Sequence, residues 1–140
     1  MALDLSNLRK AILALDRSLT IAHSGGESMM SEDLRDTIRA GVIQNFEVAY
    51  EQCWKYIQRW IHDNRSPEEA NHPRTRKELF RMAARSELIA DPSPWFGYGD
   101  ARNLTSRTYD EHHALTVFEA AERFIGDARD LLHRLDDRND

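Results

Sequence analysis

Two arginines five positions apart, Arg102 and Arg107, followed by Tyr109, make the stretch RNLTSRTYDE (102 to 111) the part of this chain best equipped for chemistry. Asn103, Thr105, Ser106 and Thr108 surround them with hydrogen-bonding groups. A guanidinium presents five donors in a planar fork that matches phosphate, and it stays charged at any working pH. On a straight helix, positions five apart diverge by about 140°, so the two forks meet one ligand only if the chain bends. The prolines and glycines of DPSPWFGYGD, just upstream, supply such irregularity. Asp110 and Glu111 mark the start of a following helix, whose positive N-terminal end favours anions. The competing arrangement pairs Arg102 with Asp100 or Asp110 and lays the Arg107 stem over apolar surface. On residue types alone, that second arrangement is the commoner one.

The elements that must position these groups are helices. Leu8, Ile12, Leu15, Leu19 and Ala22 form one apolar stripe on a first helix, capped by Asp4 or Ser6 and ended by Gly25-Gly26. Ser31, Glu32 and Asp33 open a second helix, whose stripe runs Leu34, Ile38, Phe46, Tyr50, Cys53, Ile57 and Ile61 and meets no breaker before Asn64. Gly41 is a weak point within it. Its thirty or so residues span roughly 45 Å and need partners along that length. Asp63 to Pro73 reads as a polar loop, broken by Pro67 and Pro73. Thr75 and Glu78 make a capping box for a third helix reaching about Ile89. DPSPWFGYGD then excludes a regular long helix and leaves room for a short helical turn around Trp95. A last helix from near Asp110 carries Ala114, Val117, Ala121, Phe124, Ala128, Leu131 and Leu135. The expected architecture is all-α, an up-and-down four-helix bundle with an extra short helix, formed by a single domain over residues 1–140. Phe46, Tyr50 and Trp54 are assigned to its core, and Trp60, off the main stripe, to an exposed pairing surface.

Composition narrows the function classes. Of the 140 residues, 41% are hydrophobic and 31% charged, which fits one soluble helical domain with a real core. No eighteen-residue apolar run and no signal-peptide pattern occur, so a cytoplasmic, membrane-free protein is expected. The lone cysteine, Cys53, lies in an apolar helical run and reads as a buried inert thiol. No metal-type spacing of cysteine and histidine appears, and neither a metal site nor a cofactor is expected. A net charge of −5 argues against a general nucleic-acid coat. Between Arg65 and Arg85, however, six Lys or Arg face three Glu, and Lys77, Arg81 and Arg85 share a helical face that reads as solvated surface.

Three segments together carry a resemblance: LDLSNLRKAILALDRSL, GVIQNFEVAYEQCWKYIQRWI and WFGYGDARNLTSRTYDE. In this order they resemble the HEPN superfamily branch of nucleotidyltransferase substrate-binding proteins, the HepT-type toxins. The specific signal is Q-x-F-E-x-x-Y-E-x-x-W (Gln44 to Trp54) combined with W-x6-R-N-x-T-S-x-T-Y (Trp95 to Tyr109). The resemblance implies a HEPN-like helical bundle that forms a homodimer and associates with a minimal nucleotidyltransferase of the MntA type. It also implies a metal-independent ribonuclease acting on RNA. Carried over by position, Arg102 matches the family arginine, Asn103 the polar residue after it, and Tyr109 a tyrosine that the partner modifies with AMP. Position 107 departs from the pattern: the family has histidine there and this chain has Arg107. Imidazole can take and return a proton near neutral pH, whereas arginine can bind phosphate but cannot deprotonate. The implied toxin is therefore inactive or weakly active in this form. The alternative is a non-catalytic substrate-binding subunit, and a ligand-free helical scaffold is the third reading. His112 and His113 at the start of the last helix, and His72 in the loop, are expected to be solvated rather than catalytic.

Overall fold

The structure is a computed structural model that describes residues 2–24 and 31–139. The expected glycine pair Gly25-Gly26 lies outside the described residues. Six α-helices follow one another among these residues: α1 (Ser6–Ser24), α2 (Glu32–Asn64), α3 (Pro67–Asn71), α4 (Arg76–Arg85), α5 (Ser93–Leu104) and α6 (Glu111–Asp137). A 3₁₀ turn, Thr105–Arg107, joins the last two, and the described residues contain no strand. The all-α class and the long helices thus stand as the periodicity predicts.

Helices α1, α2 and α6 form the long staves. Leu8, Ile12, Leu15 and Leu19 of α1 are buried. So are Ala114, Val117, Ala121, Phe124, Ala128, Leu131 and Leu135 of α6, the whole of its predicted stripe. The bundle is closed by a clasp between its ends. Leu3 N–H donates to Asn139 Oδ1 at 2.7 Å, and Asn139 Nδ2 donates to the Leu3 carbonyl at 2.8 Å. Tyr56 reaches from α2 to the Asp4 carbonyl at 2.7 Å, so its buried hydroxyl is satisfied.

Four expectations are corrected. The stripe of α2 does not start at Leu34: nothing in α2 is buried before Val42, Leu34 is 48% exposed, and Ile38 is only half-buried, because among the described residues the close packing of α2 begins at Val42. The presumed loop from Asp63 to Pro73 contains α3. Ser66 caps it by accepting from Glu69 N–H at 3.0 Å, and Pro67 occupies the first turn, where no backbone donor is needed. Helix α4 stops at Arg85, short of Ile89, because Glu87 takes a left-handed φ of 61° and turns buried Leu88 and Ile89 back onto the core. Finally, of DPSPWFGYGD only Asp91 and Pro92 belong to the break between α4 and α5, and the rest is helical, more than the expected short turn around Trp95. Pro94 falls in the first turn of the twelve-residue α5, and Gly97 and Gly99 are accommodated inside it.

Gly99 earns its place by proximity. A Cβ there would lie 3.0 Å from the Tyr50 hydroxyl, so the missing side chain lets α5 approach α2. That approach buries Trp95 and Tyr98 in an aromatic cluster centred on Phe124, with ring centroids 5.7 and 5.2 Å away. Tyr98 also donates to Asp127, and its burial and that bond push its pKa up. Trp60, expected on an exposed surface, is partly buried against the core, with its indole N–H enclosed and unpartnered. Its flank is taken up by packing within the chain.

Candidate functional site

Arg102 occupies the last turn of α5 and faces α2. Its Nε donates to Glu51 Oε1 at 3.0 Å, and its Nη2 lies 3.7 Å from Glu47 Oε1. Neither Asp100 nor Asp110 is its partner, contrary to the simplest pairing along the sequence. Nη1 points to Thr105 Oγ1 at 3.3 Å, while that hydroxyl donates to the Arg102 carbonyl at 2.8 Å. The side chain is about one-third exposed, so the fork is braced yet open to a ligand. At that exposure the ion pair contributes little to stability, and its main effect is to fix direction.

Glu51 does more than pair with Arg102. Its second oxygen, Oε2, accepts from Trp54 Nε1 at 2.9 Å. The Arg76 guanidinium stacks over the same indole, 3.3 Å from the ring centroid. One carboxylate therefore sets the directions of an arginine and an indole on which a second arginine lies. Trp54, expected in the core, is only half-buried and serves as this platform. Sequence reasoning placed Trp54 in the core, used Glu47 and Glu51 only as part of the resemblance, and gave Arg76 no role at the site. The available signal was the spacing of four between Glu47 and Glu51 and of three from Glu51 to Trp54, which places all three on one face of α2.

Glu51, Arg76 and Arg102 border a cavity of about 450 Å³ between α2, α4 and α5. Arg76 and Lys77 of α4 and Arg102 and Asn103 of α5 line it, over Tyr50 and Trp95. The Tyr50 hydroxyl is fully enclosed and has no hydrogen-bond partner. Burial raises its pKa to about 12, against the lowering influence of Arg76 and Arg102, so it is a neutral donor at any working pH.

The other expected residues lie elsewhere. Arg107 ends the 3₁₀ turn and is exposed, and it does not line the Arg102 cavity. Within one chain the two forks are not brought to one cavity. Tyr109 has no packing role: it is 91% exposed. It borders a second cavity of about 290 Å³, where Arg39 is accompanied by Glu32, Asp36 and Glu111. Asp110 caps α6, its Oδ1 accepting from His112 N–H at 2.8 Å and His113 N–H at 3.3 Å, and these bonds hold its carboxyl below the usual range. His112 is exposed as expected, whereas His113 is half-buried with Nδ1 enclosed and unpartnered. His72 is exposed at the end of α3. Among the described residues no group of three His, Cys, Asp or Glu is placed to hold a metal ion. No helix there is long and apolar enough to cross a membrane. Cys53 is wholly buried, and burial pushes its thiol pKa up.

Comparison with known proteins gives a consistent picture. Residues 3–137 match the family described as nucleotidyltransferase substrate binding protein like. A Haemophilus influenzae protein described as a probable ribonuclease HepT is 33% identical over 138 residues, covering 98% of this chain and 94% of that one. A solved Haemophilus influenzae structure, presented as the fold of a substrate binding domain of a nucleotidyltransferase, superposes with a TM-score of 0.87 at 31% identity. That match covers 95% of this chain and 99% of the other. A Thermus thermophilus crystal structure follows with a TM-score of 0.72 at 25% identity, covering 91% and 98%.

Proposed function

Because the chain belongs to the nucleotidyltransferase substrate binding protein-like family, we propose that it is the HepT-type HEPN chain of a toxin–antitoxin pair. It binds RNA in the cytoplasm as a homodimer and is controlled by a partner nucleotidyltransferase that adds AMP to Tyr109. The observation that carries this reading is Arg102, braced by Glu51 and followed by Asn103, on the open wall of a cation-lined cavity. That is the arrangement needed to grip a phosphodiester. The 33% identical relative described as a probable ribonuclease supports the same class.

Cleavage through the 2′-hydroxyl requires a proton carrier, and Arg107 stands where the family has histidine. Arg102 and Asn103 retain the means to hold the scissile phosphate, while Arg107 adds charge without acid–base capacity. This chain therefore binds RNA well and cleaves it poorly or not at all. The same substitution favours the second reading, a non-catalytic subunit that presents substrate to its partner transferase.

Control falls to Tyr109, whose exposed hydroxyl is open to a second protein. Its oxygen attacks the α-phosphorus of ATP, forming a phosphodiester as pyrophosphate leaves and the phenolic proton passes to solvent. The added anion and its bulk then oppose the approach of RNA phosphates. Incubation with the cognate transferase, ATP and Mg²⁺, read by intact mass, tests this. The mass is expected to rise by one or more AMP units, and the rise to vanish in Tyr109→Phe. An unchanged mass with a transferase shown to be active would rule the switch out.

A further inference from the structure

We propose that the cavity between α2, α4 and α5 is a single-nucleotide pocket, with the phosphate at the start of α4 and the base over the aromatic floor near the Tyr50 hydroxyl. The first support is the N-terminus of α4. Thr75, Arg76 and Lys77, its cap and first two residues, all line the cavity. The Thr75 hydroxyl already accepts from Glu78 N–H at 3.2 Å, so of the first-turn N–H groups those of Arg76 and Lys77 remain for an anion. Neither Arg76 nor Lys77 has a carboxylate partner within ion-pair distance among the described residues, although the chain as a whole is acidic. Arg76 is instead spread over Trp54, and Lys77 lies 5.6 Å from the Phe96 ring centroid. Both cations are held by aromatic faces and keep donors free.

The second support is independent of charge. Tyr50 is 2% exposed, its hydroxyl has no partner, and its tip abuts Gly99, another residue of the cavity wall. A buried donor left unpaired is uncommon and calls for an explanation. A polar edge of a bound base provides one. With Trp95 and Phe96 also in the wall, the cavity offers flat apolar surface, one buried donor and a mouth where Arg76, Lys77 and Arg102 outnumber the carboxylates Glu51 and Asp100, in the size range of small-molecule sites. A plain phosphate would use only the mouth. A nucleoside monophosphate uses all three, as does the terminal nucleotide of a single-stranded RNA. The inference rests on the reading above in one respect, that the ligand is a nucleotide, and requires neither cleavage nor modification of Tyr109.

Calorimetric titration of the unmodified protein with inorganic phosphate, with each nucleoside 5′-monophosphate, and with a short single-stranded RNA tests it. At least one monophosphate is expected to bind about tenfold or more tighter than phosphate. The double variant Arg76→Ala/Lys77→Ala is expected to lose about tenfold or more of that affinity. Tyr50→Phe is expected to weaken binding while melting at the same temperature or higher, since it removes an unsatisfied buried hydroxyl. A structural role alone would not separate affinity from stability in this way. Competition between RNA and monophosphate identifies a strand terminus as the natural occupant, and RNA binding without competition identifies a free nucleotide. Phosphate and monophosphates of equal affinity, no monophosphate binding at millimolar concentration, or affinity unmoved by the double variant would each overturn the pocket. Those results leave the Tyr109 mass test untouched, so the two readings fail separately.

Discussion

On the proposed function, the side chain at 107 decides whether the Arg102 region can only hold RNA or can also cut it. Arg107 is exposed, so exchanging it should leave the fold unchanged and alter only the local chemistry. Arg107→His is expected to raise RNA cleavage roughly 100- to 10,000-fold without added metal, the range for a positioned acid–base group. Adding Arg102→Ala should abolish the gain. An inert Arg107→His protein with an intact circular dichroism spectrum, tested on single-stranded RNA and on tRNA, would move the assignment to the binding-only subunit. Arg102 and Asn103 could be picked out from the sequence because their motif is local. The brace on Arg102 could not, since Glu51 stands 51 positions away and only the packing of α5 on α2 brings it to 3.0 Å. The same holds for Arg76 over Trp54, two residues that separately read as surface charge and core aromatic.

At the scale of the element, α5 carries the lesson about where patterns mislead. Two prolines and two glycines argue against a helix when counted, yet their positions permit one: a proline in the first turn, and Gly99 where α5 meets Tyr50. Helices α2 and α6 were legible because they are long and periodic, and Ser31, Thr75 and Asp110, read as their starts and that of α4, each accept a backbone bond as the N-cap. Short α3, and the early end of α4 at left-handed Glu87, depend on tertiary packing and left no periodic trace. The Gly99 contact gives a quantitative prediction. Alanine is favoured over glycine in a helix interior by about 0.8–1.0 kcal/mol, but here its Cβ would press on the Tyr50 oxygen at 3.0 Å. Gly99→Ala is expected to be neutral to destabilising alone, and stabilising in the Tyr50→Phe background. Urea unfolding of the four proteins should give a coupling of about 0.5–3 kcal/mol. Additive effects would mean that the hydroxyl does not limit the approach of the two helices.

Across the whole molecule, the end of α2 is the feature the single chain leaves unexplained. Its first ten residues, Glu32 to Gly41, contain no buried side chain, and Leu34, Val48 and Leu115 are exposed apolar groups. A second copy covering them is the proposed remedy, in place of the Trp60 surface expected from sequence. Sedimentation at micromolar concentration should therefore give a species of twice 16.3 kDa. Leu34→Glu should shift it toward the monomer, and a wild-type monomer at that concentration would remove the proposed homodimer. The buried thiol has a consequence of another kind. Cys53 is the sole cysteine and lies wholly inside the staves, so a thiol reagent in solution reaches it only when the bundle opens. Where reclosing outpaces labelling, the labelling rate reports the equilibrium population of the opened form, and where labelling is faster it reports the opening rate itself. The chain thus carries its own unfolding clock, one that runs in native buffer, needs no engineered probe, and ticks more slowly for any nucleotide or partner that holds the helices closed.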